Sequence, residues 1–304
     1  MLLLVAAALP ACGANTARHG RVQRVRSARA RLAGGQPSHI AVIVMENEEY
    51  RNIIGSRSSP YINALARRYA VPTGMYAITH PSLPNYLALT GGSTFGITND
   101  CTGCSVGSHG LVDQFKAAHV SWRAYMEDLR RPCFAGSGSG GYAKKHDPFI
   151  YFAGVVRDPS SCDHIVPLSE LGADEHRGTL PTFVWITPNL CHDMHDCGPS
   201  YGDRFLSGLV PPLLRSLGPR GLLFLTWDEG SSDEGCCRFA AGGHIPTILA
   251  GPAARLGAQV ATPVDQYSIL QAIEDLLGLS RLRGAACACT PSLEPLLRGS
   301  QSTG

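Results

Sequence analysis

The stretch His39-Ile40-Ala41-Val42-Ile43-Val44-Met45-Glu46-Asn47 decides the fold class. Its apolar run does not alternate with polar residues, as expected of a strand buried on both faces of a parallel sheet. It stops abruptly at an acid and an amide. Two later runs have the same character. Thr182-Phe183-Val184-Trp185-Ile186 ends at Pro188-Asn189, and Leu222-Leu223-Phe224-Leu225-Thr226-Trp227 ends at Asp228-Glu229. Helical patterns lie between and after them. Ser59-Pro60 opens one over 60–69, with Ile62, Leu65, Ala66 and Tyr69 on one face. A second spans 110–119. A third spans 264–277, with Ile269, Leu270, Ile273, Leu276 and Leu277 inward and Gly278 as its stop. Further strands are expected at 70–78, 120–125 and 245–250, and Asp203 is expected to cap a helix interrupted at Pro211-Pro212. Strands alternating with helices imply an α/β fold, a mostly parallel central sheet with helices on both faces.

Ligands in such sheets bind beyond the carboxyl ends of the strands. The segment Thr79-His80-Pro81-Ser82-Leu83-Pro84-Asn85-Tyr86 falls there, between an extended run and a helix-compatible one. Its two prolines stiffen the turn around a single hydroxyl. Alone, Ser82 would read as a helix N-cap. A hydroxyl at a stiff strand-to-helix turn is also a candidate nucleophile, with a helix N-terminus ready for an anion. Glu46, Ser82, Asp193, His195 and Asp228 all fall just past expected strand ends, and that convergence favours the functional reading. Glu46, Asn47, Asp228 and Glu229 offer hard oxygen ligands for a divalent metal ion. A cation there would acidify the Ser82 hydroxyl and neutralise a phosphoryl oxygen. Asn85 and the N–H groups after Ser82 would bind the remaining oxygens. Asp193 and His195 suit a second metal or a leaving-group acid, although a lone His195 would read as a structural hydrogen-bonder. The weakly periodic segment 130–177 has the length of a functional loop. It contains Lys144-Lys145-His146, which is either a solvated charge cluster or part of the site.

The 304 residues carry a formal charge of +2, but residues 1–35 hold six arginines and no acid, so the remainder nets −4. No basic patch argues for nucleic acid. Residues 1–12 read as the apolar core of an export signal. Leu9-Pro10-Ala11-Cys12 resembles a lipoprotein cleavage box, in which Cys12 would carry a membrane anchor. Residues 13–35 read as an Ala/Arg-rich linker, 36–296 as one domain and 297–304 as a tail. Apart from Cys12, ten of the 11 cysteines remain, an even number that fits an oxidising compartment. Cys101-Thr102-Gly103-Cys104 could open a zinc site, but Cys236-Cys237 does not supply the usual spacing, so disulfides are the preferred reading. Cys191 and Cys197, bracketing Asp193 and His195, are expected to pair.

Taken together, several motifs resemble one family. They are Glu46-Asn47, Thr79-His80-Pro81-Ser82 through Pro84-Asn85-Tyr86, Asp193-Met194-His195-Asp196, Thr226-Trp227-Asp228-Glu229 and Ile245-Pro246-Thr247. Thr94-Phe95-Gly96, Tyr142-Ala143 with Lys145-His146, and Gly202-Asp203 fit the same pattern. The order, over about residues 38–280, is similar to that of bacterial secreted acid phosphatases. These belong with the phospholipase-C-type phosphoesterases of the alkaline phosphatase superfamily. The resemblance implies an alkaline-phosphatase-like fold and Ser82 as nucleophile. It also implies a metal held by Glu46, Asn47, Asp228 and Glu229. Phosphate binding or leaving-group protonation falls to His80, Asn85, Asp193 and His195, and Lys145, His146 and His244 are expected on the substrate. Two positions depart from the pattern: Asp228-Glu229 replaces the superfamily's frequent Asp-His, and His192 replaces an asparagine.

The expected function is that of an exported, monomeric, metal-dependent phosphomonoesterase acting on phosphate esters, phosphoinositides included, through a phosphoserine. A phospholipase-C-type phosphodiesterase is the alternative enzyme. A non-catalytic phosphate- or surface-binding protein is the rival from another class, and it would be favoured had Ser82, Glu46 or Asp228 been absent.

Overall fold

A computed structural model describes residues 36–299. Six strands form its central sheet: β1 (Ile40–Met45), β2 (Trp122–Met126), β3 (Ile165–Pro167), β4 (Phe183–Thr187), β5 (Leu222–Trp227) and β6 (Thr247–Ala250). They lie in the order β6-β5-β1-β4-β2-β3. All neighbours are parallel except β6, which runs antiparallel along the edge of β5. Every residue of β1, β4 and β5 is buried, so both faces of the sheet are covered, as their unbroken apolar sequences require. The principal helices are α1 (Pro60–Arg68), α2 (Ser82–Gly91), α3 (Leu111–Ala118), α4 (Leu171–Arg177), α5 (Pro199–Ser216) and α6 (Gln266–Leu277). α1 packs on α5, and α2 packs on α6. The architecture is the α/β, mostly parallel sheet expected from the sequence.

Three local expectations are corrected. Residues 70–78 add no strand to the main sheet, and only Ala70 pairs with it, through a bridge to Leu249 of β6. Val71–Pro72 and Met75–Tyr76 pair instead with Gln259–Val260 and Val264–Asp265, as two-residue ladders beside it. Pro72, Thr73 and Gly74 interrupt what would have been one strand. α5 runs unbroken through Pro211 and Pro212. An interior proline costs an isolated helix about 3 kcal/mol. Leu206, Val210 and Leu213 are buried before and after the prolines, at roughly 1.5–3 kcal/mol each, which offsets that cost. Asp203 lies inside α5 and does not cap it. Its carboxylate accepts from Tyr61 N (3.2 Å) and Ile62 N (2.8 Å), and so caps α1.

Cysteines pair as Cys101–Cys104, Cys133–Cys162, Cys191–Cys197, Cys236–Cys237 and Cys287–Cys289. The chain stays attached past residue 296: Leu297 is buried and Arg298 N donates to Ala253 O (2.8 Å). No helix among the described residues is long and apolar enough to cross a membrane. The leader over 1–12, Cys12 and the linker over 13–35 lie outside the described residues.

Candidate active site

Parallel register assembles the acids. Met45 pairs with Trp227, so the residues that follow, Glu46 and Asp228, emerge side by side from β1 and β5. Two backbone bonds extend the ladder past the strand ends: Asp228 N donates to Met45 O (2.9 Å), and Glu46 N to Asp193 O (2.8 Å). Asp193 sits in the loop after β4, closed by Cys191–Cys197. Glu46, Asp193 and Asp228 all have zero solvent exposure.

The hydroxyl arrives on α2. Pro81 is its N-cap residue, and Pro84 falls in the first turn, where a missing N–H costs nothing. α2 ends at Gly92 with φ 70°, where a Cβ would lie 2.6 Å from Leu282 O, so only glycine fits. Ser82 Oγ donates to Glu46 Oε2 (3.1 Å). One turn along, the Tyr86 hydroxyl donates to Glu46 Oε1. One helix face therefore grips both oxygens of one carboxylate.

His146 completes the interior. Its ring stacks on Tyr86 (centroids 5.4 Å apart). Nε2 lies 3.3 Å from Glu46 Oε1, and Nδ1 3.3 Å from Asp193 Oδ2. Burial, with the charges of Lys145 and His195 adding to it, holds this imidazole well below its ordinary pKa, so it is neutral. Glu46, Asp193 and Asp228 are all pushed up, first by burial; the charge of Asp228 adds to the rise of the other two. His146 Nε2, Asp193 Oδ2 and Asp228 Oδ2 are buried without a hydrogen-bond partner. Buried carboxylate oxygens and an imidazole nitrogen left without partners are the pattern a bound cation removes. Glu46, His146 and His195 present ligand atoms within 4.8 Å of one another. The donor set of carboxylate and imidazole fits a divalent ion.

The other expected residues are distributed as follows. Asn47 gives its backbone N–H to Asp228 Oδ1 (3.1 Å). Glu229 Oε2 meets His80 Nδ1 (2.9 Å), whose Nε2 donates to Ser232 O (3.1 Å). Burial, then the charge of Asp228, pushes Glu229 up to about 9, so its neutral O–H can donate to Nδ1. Lys145 Nζ donates to Asp100 Oδ2 (3.0 Å) and to His195 Nε2 (3.2 Å). His195 Nδ1–H is then free to donate to Asp196 Oδ1 (2.7 Å). Asn85 is wholly buried. It donates to Thr79 O (2.7 Å) and Pro81 O (3.3 Å) and accepts from Thr79 N (2.9 Å). Its carboxamide is thus occupied by the turn, not presented as an oxyanion donor. His244 stands apart from the acids, stacked between Tyr50 and Tyr76 with Nε2 on Thr73 O (2.9 Å).

Sequence reasoning missed Tyr86 and Asp100. Tyr86 is four residues after Ser82, hence on the same helix face, and that spacing was the available signal. Asp100 lies in irregular chain with no pattern to mark it.

Comparison with known proteins identifies the family. The model of the Phosphoesterase family matches residues 56–280. The chain belongs to the Phosphoesterase family. It is a phosphoric ester hydrolase by that membership and by its relatives. A phosphatidylinositol-3-phosphatase of Mycobacterium tuberculosis is 33% identical over 246 residues, covering 80% of this chain and 78% of the relative. A phosphate-repressible acid phosphatase of Penicillium chrysogenum is 33% identical over 202 residues, 62% of this chain. The alignment spans 49% of that fungal protein, about half its length. A Vibrio parahaemolyticus protein of the alkaline phosphatase superfamily superposes with a TM-score of 0.59 at 14% identity, over 83% of this chain and 70% of its own. That likeness carries the fold, which is alkaline-phosphatase-like as expected.

Proposed function

We propose that the chain is an exported, metal-dependent phosphomonoesterase that works through a phosphoserine at Ser82. The observation that carries the proposal is the Ser82 hydroxyl at the head of α2, bonded to Glu46 inside a buried cluster of carboxylates. Glu46, Asp193 and Asp228, with His146, would hold a divalent cation, and the backbone of Asn47 and Glu229 steadies Asp228. Bound there, such an ion supplies Lewis-acid stabilisation of phosphoryl charge and a lowered hydroxyl pKa.

The chain's own groups then have separable tasks. Glu46 orients the Ser82 Oγ lone pair and accepts its proton as Oγ attacks phosphorus. The bond from phosphorus to the alcohol oxygen breaks, and that oxygen takes a proton from water at the mouth of the site. Lys145 adds positive charge against the phosphoryl oxygens. Water then cleaves the phosphoserine, Glu46 returns its proton to Ser82 Oγ, and phosphate is released. Five disulfides favour an oxidising, exported location. The phosphatidylinositol-3-phosphatase relative makes phosphoinositide monoesters the first natural substrates to assay. The test is hydrolysis of p-nitrophenyl phosphate against bis(p-nitrophenyl) phosphate, with and without chelator. The proposal expects the monoester to be preferred by at least tenfold in kcat/KM, with activity lost on chelation and recovered with metal. A preference for the diester would move the chain to the phosphodiesterase reading.

A further inference from the structure

The Lys145 ammonium borders the buried carboxyl cluster. Glu46 and Asp228 act on it electrostatically, yet its ion pair is with Asp100. It is held on the other side. Asp100 Oδ2 accepts from Lys145 Nζ at 3.0 Å, while Asp100 Oδ1 accepts from Leu83 N at 2.9 Å. Leu83 follows the proposed nucleophile directly, so one carboxylate ties the ammonium to the first turn of α2. The segment bearing Asp100 is itself braced. The Cys101–Cys104 disulfide follows it, and the neighbouring Lys144 donates to Thr102 O at 2.7 Å.

Without that tether, a four-carbon flexible cation beside buried carboxylates would swing onto them, because opposite charges attract most strongly where water is excluded. It would then occupy the place of a metal ion and leave the phosphate without its cation. We propose that Asp100 is a positioning residue that anchors Lys145 beside His195 and the head of α2, keeping the ammonium off Glu46 and Asp228. The proposal rests on the phosphoesterase reading above. It adds a division of labour in which the interior carboxylates serve the metal and Lys145 serves the phosphate.

The test measures Mn²⁺ binding to the full chain by loss of the free-ion EPR signal, alongside KM for p-nitrophenyl phosphate. Asp100→Asn keeps an oxygen for Leu83 N–H but loses the charge. It should weaken Mn²⁺ binding about tenfold or more and raise KM several-fold. Lys145→Met should raise KM without weakening Mn²⁺ binding. The double variant Asp100→Asn/Lys145→Met should recover Mn²⁺ affinity to within about twofold of Lys145→Met alone, since the intruding ammonium is gone. Asp100→Glu, which restores the charge, should bind Mn²⁺ nearly as wild type does. Unchanged Mn²⁺ affinity in Asp100→Asn overturns the proposal. A double variant as weak as Asp100→Asn overturns it too, since Asp100 would then act through the fold alone. Lys145→Met with an unchanged KM would instead refute the phosphate-binding role of Lys145, and the Mn²⁺ comparison keeps these failures distinct.

Discussion

Replacing Tyr86 with phenylalanine removes a single hydroxyl from a fully buried side chain. The ring contacts survive: the stack on His146 at 5.4 Å and the tilted contact with Trp185 at 6.3 Å need no oxygen. What is lost is one of the two donors on Glu46, leaving Ser82 as the other. A hydrogen bond to a charged group contributes about 1.5–3 kcal/mol. Tyr86 opposes the rise in the Glu46 pKa that burial and the charges of Asp228 and Asp193 produce. Removing it favours the protonated carboxyl, and a proton competes with a cation for the same oxygens. At about 1.4 kcal/mol per factor of ten, Tyr86→Phe should weaken metal binding roughly 10- to 100-fold. The loss should be largest at acid pH and should shrink as pH rises, because a carboxylate already ionised in the metal-free protein loses the bond in both states. Mn²⁺ titrations at several pH values between 5 and 8, with kcat/KM for p-nitrophenyl phosphate on the same samples, measure this. Equal losses at every pH, or none, would refute the reasoning and reduce Tyr86 to packing.

Two further outcomes follow from the same structure. Asp203→Ala strips both bonds from the head of α1 and should destabilise the protein by about 1–2 kcal/mol in urea unfolding, with kcat per folded molecule unchanged. The chelated protein should lose thermal stability as pH rises. Its raised carboxylates, Asp228 at about 6 and Asp193 at about 8, bind more protons folded than unfolded. That stabilisation is complete below about pH 4 and is lost as pH climbs through the raised values, whereas added Mn²⁺ should flatten the decline.

How much of this was legible in the sequence follows from what each residue answers to. The apolar runs of β1, β4 and β5 announce themselves because a strand covered on both faces tolerates no polar alternation. The acids at their ends were legible for the same reason: Glu46 and Asp228 mark where the apolar run stops and the site begins. Ser82 was marked by its prolines. α5 was misread at Pro211-Pro212 because the burial holding it together is tertiary and leaves no local signal. Asp203 looked like a cap and is one, but for a helix more than 130 positions away in sequence. Asn85 and His244 carried the right chemistry for a site, and the fold uses them for a turn and an aromatic stack. Asp100 was invisible because only the folded chain brings it to Leu83 and Lys145.

The central claim is that Ser82 is phosphorylated during turnover. Rapid acid quench of the metal-loaded enzyme with a labelled phosphomonoester, followed by peptide mapping, tests it most directly. The account predicts label on the peptide containing Ser82, and in Ser82→Ala no label and turnover lower by on the order of 10³ or more, with phosphate still bound. Label on another residue, or a Ser82→Ala enzyme that turns over at the wild-type rate, would contradict it.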